Sequence, residues 1–191
     1  MEQAKAAGYD LVTLCHQDDL YLPGYGAAVQ AMASPDMLIY FSGYGEKRGE
    51  EVVTSSRLLR IKRLLLWRMR IRPFQRSRLM KHRTLALGDP ICCPSVTFHL
   101  CRLPLPLFQT DMTTSLDWQA WERISRMDGR FVYDPAVRML HRIHTNSTTT
   151  QVLEKGGRQP EDYAMFRKFW CTPIARLLTK WYSASEKSNQ L

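Results

Sequence analysis

The segment that most constrains the fold is a short apolar run followed by two adjacent aspartates. Residues 11–14 are aliphatic and β-branched, and Asp18 and Asp19 come a few positions later. Runs of this length and composition are typical of a buried strand. Ligands of open α/β sheets bind beyond the carboxyl ends of the strands, so two carboxylates are expected there. The pattern therefore predicts an α/β fold with a Mg²⁺ or Mn²⁺ site at the end of this strand.

The aspartate pair also has a simpler interpretation. Aspartate is a preferred N-cap residue, so Asp18 and Asp19 could serve only to cap the following helix. A cation held by the pair would instead neutralise a diphosphate. The segment alone leaves both interpretations open.

Three later segments carry further candidate residues, and their order along the chain is informative. They are Gly-Asp-Pro-Ile-Cys-Cys-Pro-Ser-Val at residues 88–96, Ser-Leu-Asp-Trp-Gln-Ala-Trp at residues 115–121, and Arg-Ile-His-Thr-Asn-Ser-Thr at residues 142–148. Together with the Asp-Asp-x-x-x-Pro pattern in residues 15–25, they resemble, in the same order, the motifs of family 2 glycosyltransferases with the GT-A fold. Residues 158–189 are similar to the C-terminal helix of bacterial members, so the resemblance spans nearly the whole chain.

The resemblance implies a domain organisation. Residues 1–150 would form the C-terminal part of a GT-A (Rossmann-like) catalytic domain, with a basic helical insert at residues 57–83. Residues 151–191 would add a C-terminal helical extension and tail. The family's opening βαβ units, which hold the nucleotide, have no counterpart, because residues 1–9 already suit the end of a helix. We therefore expect an N-terminally truncated domain, and the activity of the isolated chain is an open question.

The resemblance further implies an inverting, metal-assisted transfer of a sugar from a nucleotide-sugar donor to a glycan or lipid-linked acceptor, in the synthesis of cell-surface polysaccharide. Asp117 matches the catalytic base, and Asp18 and His144 match metal-binding positions. The other candidate residues would lie along the two substrates. They are His16, Asp19 and Arg142 on the donor side, and Cys93, Pro94, Ser95 and Trp118 on the acceptor side.

Some of these residues have competing interpretations. His16 stands where the family commonly has aspartate. An imidazole prefers borderline metal ions to Mg²⁺, so the role of His16 stays open. Asp117 also suits the N-cap of a helix predicted over residues 117–127, and one residue can fill both roles. Taken alone, His141 and His144 are ordinary strand-end residues.

Residues 57–83 contain eleven Lys and Arg and no acidic residue. Such a block attracts anionic lipid, phosphate or nucleic acid. Trp67 and the Leu64-Leu65-Leu66 cluster suit an interfacial membrane helix, whereas the alternative is a packed helix with its cations in solvent. A second function class is therefore an inactive remnant or interaction module that docks on an anionic membrane or a partner. No nucleic-acid-binding motif accompanies the charge, so nucleic acid is not expected.

The sequence also indicates where the protein works. No apolar run reaches the roughly 18 residues of a membrane span, and the N-terminus lacks a signal-peptide pattern. We therefore predict a cytoplasmic protein, which its basic block would bring to the inner face of the membrane. Its five cysteines include no C-x-x-C pair, which argues against a disulfide framework and a zinc site. We expect reduced and mostly buried thiols.

Periodicity and turn residues predict the elements. Strands are expected at residues 10–15, 37–44 (broken by Gly43 and Gly45), 131–133 and 137–140, and a turn at residues 46–51. Helices are expected at residues 23–32, 57–69, shortly before Gly88, and at residues 117–127. The helix at residues 57–69 would have Leu58, Ile61, Leu65 and Met69 on its apolar side and would be ended by Pro73. Residues 161–182 would form either one long helix or two short ones divided at Pro173.

Overall fold

The computed structural model of the protein describes residues 1–143 and 158–187, and within these residues it is an α/β structure with one mixed sheet. The strands are β1 (Leu11–Thr13), β2 (Leu20–Tyr21), β3 (Met37–Arg48), β4 (Glu51–Val53), β5 (Val96–His99) and β6 (Arg130–Ile143). The α-helices are α1 (Glu2–Ala6), α2 (Tyr25–Met32), α3 (Arg57–Leu65), α4 (Arg72–Arg76), α5 (Arg78–Thr84), α6 (Leu116–Ser125), α7 (Gln159–Arg167) and α8 (Thr172–Lys187). Short 3₁₀ helices cover Leu66–Arg70, Cys93–Ser95 and Leu100–Arg102. The predicted α/β class is confirmed.

The sheet has the order β1-β5-β3-β6-β2, and β4 pairs with the end of β3. The two longest strands, β3 and β6, run parallel, and the other pairs are antiparallel. This arrangement brings the loop after β1 and the end of β6 to the same region, because β2 pairs with β6.

Both faces of the sheet are covered by helices. Along β6, Phe131 and Tyr133 belong to the main apolar cluster, which includes residues of α6, α7 and α8. Val132 points to the opposite face and packs with Tyr25 and Val29 of α2. Successive side chains of a strand point to opposite faces, so this central strand is apolar in every position of the stretch.

The strand β3 continues through the glycines that were predicted to break it. A Cβ atom on Gly43 would lie 2.8 Å from the carbonyl oxygen of Pro135, so only glycine fits this close approach. The register between β3 and β6 shifts at this point. The irregularity lets β6 run through Pro135 as one strand instead of the two predicted, and the predicted turn at residues 46–51 is reduced to residues 49–50.

The basic segment is helical, but its buried side differs from the predicted one. The buried residues are Leu59, Leu66 and Met69. Of the predicted apolar residues Leu58, Ile61, Leu65 and Met69, only Met69 is buried. The Ser56 side chain caps α3 by accepting from the Leu59 amide, and the helix tightens to 3₁₀ after Leu65. Pro73 does not end a helix but lies in the first turn of α4, where its missing N–H is not needed.

A buried lysine joins the basic segment to the turn before β6. Lys81 Nζ donates to the carbonyl oxygens of Met127 and Gly129, both at 2.7 Å. Gly129 has a φ of +136°, and a Cβ atom there would lie 2.7 Å from the carbonyl oxygen of Asp36. This position therefore requires glycine.

The remaining predictions on elements and cysteines have mixed outcomes. The C-terminal helical region divides into α7 and α8, the second of the two alternatives expected, with Pro173 in the first turn of α8. All five cysteines are free thiols, but the expected burial is wrong for Cys15, Cys101 and Cys171, which are exposed. Among the helices of the described residues, none has the length and apolarity to cross a bilayer. The predicted boundary at residue 150 lies outside the described residues.

Candidate functional site

Three potential metal ligands meet in the loop between β1 and β2. One ligand atom from each of His16, Asp18 and Asp19 lies within 4.8 Å of the others. Their exposure decreases in that order, from the exposed imidazole to the buried Asp19 carboxylate. The predicted strand end therefore does carry a cluster of two carboxylates and one imidazole.

The Asp19 carboxylate is fixed by the end of β6. Its Oδ1 atom is hydrogen-bonded to His141 Nδ1 at 2.8 Å and accepts the Arg142 backbone N–H at 3.0 Å. The pairing of Leu20 with Leu140 in the β2–β6 ladder produces this contact, because the residues next to that pair then face each other. The side chain of Asp19 is completely buried. Its orientation is therefore set by the sheet register.

The second oxygen of Asp19 lacks a hydrogen-bond partner within the described residues. Asp19 Oδ2 is buried, and the nearest imidazole nitrogen, His16 Nδ1, lies 3.6 Å away, which is too long for a hydrogen bond. A buried and unsatisfied carboxylate oxygen is costly, by about 1–3 kcal/mol or more. A divalent cation would satisfy it, and the donor set of carboxylates with an imidazole fits Mn²⁺ better than Mg²⁺.

The loop that contains Cys93, Pro94 and Ser95 is held by two tyrosines. The Tyr21 hydroxyl donates to the Pro94 carbonyl oxygen at 2.6 Å, and the Tyr25 hydroxyl donates to the Ser95 carbonyl oxygen at 3.1 Å. Ser95 Oγ donates to the Cys92 carbonyl oxygen at 2.7 Å. These bonds fix the backbone of the loop next to β2.

Burial disfavours ionisation of the Cys93 thiol in this loop. Burial raises the pKa of Cys93 above its usual value, and the carboxylates of Asp117, Asp89 and Asp19 raise it further. Asp19 directly precedes β2, and the Tyr21 hydroxyl of β2 holds this loop through the Pro94 carbonyl oxygen, so β2 connects the metal-ligand cluster to the predicted acceptor-side loop.

Asp117 lies in the first turn of α6 and not at its N-cap. The N-cap residue is Ser115, and Asp117 Oδ1 accepts the N–H of Trp118 at 2.9 Å. The Asp117 side chain is half-buried. The interpretation of Asp117 as the N-cap is therefore wrong.

A side chain of α7 caps the turn that precedes α6. The Glu161 carboxylate accepts the N–H groups of Thr113, Thr114 and Ser115 at 2.7, 2.8 and 3.0 Å, and the Thr114 hydroxyl at 2.7 Å. Burial alone would raise the pKa of Glu161, but these hydrogen bonds hold it below its usual value. Glu161 thus anchors the turn that presents Asp117.

Another carboxylate with a perturbed pKa, Asp89, is buried. Its Oδ1 atom accepts the Ile91 N–H at 3.0 Å. Burial raises the pKa of Asp89 well above its usual value, and the charge of Asp117 raises it further, although Lys62 opposes this. Two like charges held close together resist joint ionisation, so Asp89 retains its proton to higher pH than an ordinary aspartate.

Not every predicted residue presents its side chain at the site. Trp118 is completely buried and its Nε1 donates to the Leu85 carbonyl oxygen, so its side chain does not contact an acceptor. Arg142 contributes its backbone N–H to Asp19, and its side chain is exposed. His144 lies outside the described residues.

Sequence reasoning missed three residues of the site. His141 was set aside as an ordinary strand residue, and Asp89 and Glu161 received no role. The only sequence signal for Asp89 was its place in a motif with Pro90 and Cys93, whereas Glu161 acts on a turn far away in the chain. Comparisons with protein-family models, curated proteins and solved structures find no match to this chain.

Proposed function

We propose that the protein transfers a sugar from a nucleotide-sugar donor to an acceptor hydroxyl, with inversion and with the aid of a divalent cation. The observation that carries the proposal is the His16–Asp18–Asp19 cluster, in which a buried Asp19 oxygen lacks a hydrogen-bond partner within the described residues. The resemblance of the four ordered motifs to family 2 glycosyltransferases supports the same reaction.

The proposal assigns roles to the residues of the site. Asp18, Asp19 and His16 hold the cation, with Asp19 oriented by His141. A bound cation would neutralise charge on the departing diphosphate. Asp117 accepts the proton of the acceptor hydroxyl, a general-base step that contributes typically 10²–10⁴-fold to rate. The backbone of the Cys93–Ser95 loop forms the acceptor side.

The cation is tested first because it requires no substrate. Mn²⁺ binding to the full chain is followed by the loss of the free-Mn²⁺ signal in electron paramagnetic resonance, with and without a nucleoside diphosphate. We expect weak binding that the nucleotide strengthens, and we expect Asp18→Asn and Asp19→Asn to weaken it. The control is Glu50→Gln, since that side chain is fully exposed. Equal Mn²⁺ binding by the two aspartate variants and the wild type would remove the metal site.

The reaction is tested by nucleoside diphosphate release from a panel of nucleotide sugars, in the presence of glycan and lipid-linked acceptors. Asp117→Asn preserves the shape of the side chain but cannot accept a proton at neutral pH. We expect it to lose transfer while Mn²⁺ binding persists. Transfer at the wild-type rate by this variant would exclude Asp117 as the base.

A further inference from the structure

The basic segment exposes a line of large apolar side chains to solvent. They are Ile61 (44% exposed), Leu64 (67%), Trp67 (44%) and Ile71 (38%). Ile61, Leu64 and Trp67 are spaced by three residues along α3 and the 3₁₀ helix after it, so these three lie on one side of this helical segment, and Ile71 follows directly after its end. Single exposed apolar residues are ordinary, but a contiguous line marks an interaction surface.

Cations border this line. Arg57, Arg60 and Arg72 are exposed and form no ion pair within the described residues. The Arg68 guanidinium lies over the Trp67 ring, 5.0 Å from its centre. We call these four arginines and the four apolar residues the arginine–apolar face. Residues 57–83 contain no acidic side chain, so no carboxylate of this segment itself neutralises the face.

Other cations of the basic segment have structural partners and do not belong to this face. Arg76 pairs with Asp36 at 2.6 Å, and Arg78 pairs with Asp128. Lys81 is buried. Arg76, Arg78 and Lys81 therefore have partners within the protein, whereas Arg57, Arg60 and Arg72 form no ion pair within the described residues.

We propose that the arginine–apolar face docks on an anionic lipid surface. The four apolar side chains enter the boundary between headgroups and acyl chains, and the arginines bind the lipid phosphates. A single-stranded nucleic acid would use the cations and Trp67, but Ile61, Leu64 and Ile71 cannot stack on bases as aromatic side chains do. The combination of aliphatic side chains with a cationic border therefore favours lipid. The proposal does not depend on the transferase function.

The test is co-sedimentation of the full chain with vesicles. One set is pure phosphatidylcholine, and the other contains phosphatidylcholine and phosphatidylglycerol in equal parts. We expect binding to the second set only, and we expect it to fall steeply at about 1 M salt, where the Debye length is about 3 Å. Arg57→Gln combined with Arg60→Gln should lower the partition coefficient about 30-fold, because each cation near an anionic surface contributes about 1 kcal/mol.

Leu64→Ser combined with Trp67→Ser distinguishes docking on lipid from purely electrostatic binding of an anion. This variant should bind anionic vesicles at least about tenfold more weakly, because it loses the apolar contribution. Lys5→Gln combined with Tyr9→Ser is the matched control, since it removes one exposed cation and one exposed aromatic elsewhere, and it should bind like the wild type. Thermal unfolding of each variant checks the fold.

Three outcomes would overturn the proposal. The first is equal binding of the wild type to neutral and anionic vesicles. The second is wild-type vesicle binding by the Leu64→Ser/Trp67→Ser variant. The third is absence of vesicle binding together with tight binding of a single-stranded DNA oligonucleotide, which would assign the cations to nucleic acid.

Discussion

Replacing Glu161 with glutamine should loosen the turn that presents Asp117. The amide oxygen of glutamine can replace Glu161 Oε2 as an acceptor. Its NH₂ group would then replace Oε1 and place a donor opposite the Thr113 N–H, which is also a donor. Hydrogen bonds to a charged group are worth about 1.5–3 kcal/mol each. Because Glu161 is only partly buried, we take the low end for the whole site, about 2 kcal/mol. For a protein of this size, that corresponds to a decrease in Tm of about 4–8 °C.

The effect of Glu161 should depend on pH in a defined direction. The pKa of the native carboxyl lies below its usual value of 4.5, so folding favours the ionised form. Its stabilisation is complete above the usual pKa and is lost as the pH falls through the lower native pKa. The difference in Tm between wild type and Glu161→Gln should therefore be constant near neutral pH and shrink in acid, where protonated glutamate resembles glutamine.

Two measurements test this reasoning. Thermal unfolding by circular dichroism from neutral to acidic pH gives the difference in Tm, and Glu50→Gln controls for loss of a surface charge. Amide hydrogen exchange gives the local effect, and we expect the N–H groups of Thr113, Thr114 and Ser115 to exchange roughly 30-fold faster in the variant. An unchanged Tm at neutral pH, or a difference in Tm that widens in acid, would refute the role of Glu161 as a charged cap.

Three further predictions concern the fold. Gly129→Ala should destabilise the protein by about 1–3 kcal/mol in thermal unfolding, because φ is positive there and the added Cβ atom would lie 2.7 Å from atoms at the start of β3. The control is Gly26→Ala in α2, which should be neutral or stabilising because the added atom meets nothing within 4 Å. Lys81→Met should cost about 2–5 kcal/mol in urea unfolding, because it leaves two buried carbonyl oxygens without their donor; a midpoint equal to wild type would contradict this. Titration with an aromatic disulfide reagent at mildly alkaline pH should modify the exposed thiols quickly, and Cys92 and Cys93 more slowly, because burial raises the pKa of both. Equally rapid reaction of all five thiols would contradict this. The exposed thiols are Cys15, Cys101 and Cys171.

Local patterns predicted the elements better than their interactions. The strand before Asp18 and the helix that begins beside Asp117 could be predicted because each depends on neighbouring residues. The continuation of β3 through Gly43 could not, because the glycine is required by the close approach of the Pro135 carbonyl oxygen, 2.8 Å from where a Cβ would lie. Periodicity also failed in the basic segment, since Leu59 and Leu66 are buried instead of the neighbouring Leu58 and Leu65, and two adjacent apolar residues give no sign of which one faces the core.

The residues of the candidate site could be predicted from the sequence, but the contacts between them could not. The adjacent carboxylates of Asp18 and Asp19 are visible in the sequence, but the anchor of Asp19 is His141, a residue separated from it by 122 positions. That contact follows from the β2–β6 register, and a strand of two residues has no periodicity from which a register could be derived. The hydrogen bonds of Glu161 could not be predicted for a similar reason, since its partners lie 46 to 48 positions away in the chain.

The two tyrosine hydroxyls that hold the Pro94 and Ser95 carbonyl oxygens have a consequence for the thermodynamics of ligand binding. A loop that is free in solution loses conformational entropy when a ligand orders it, at about 0.5–1.5 kcal/mol for each immobilised side chain. Here the backbone is already tied to Tyr21 and Tyr25 before any ligand arrives. A molecule that binds against this loop therefore meets a surface whose shape precedes binding. Tyr21→Phe would remove one of these hydrogen bonds and make the free loop more mobile. Ligand binding should then have a less favourable entropy, which calorimetry measures.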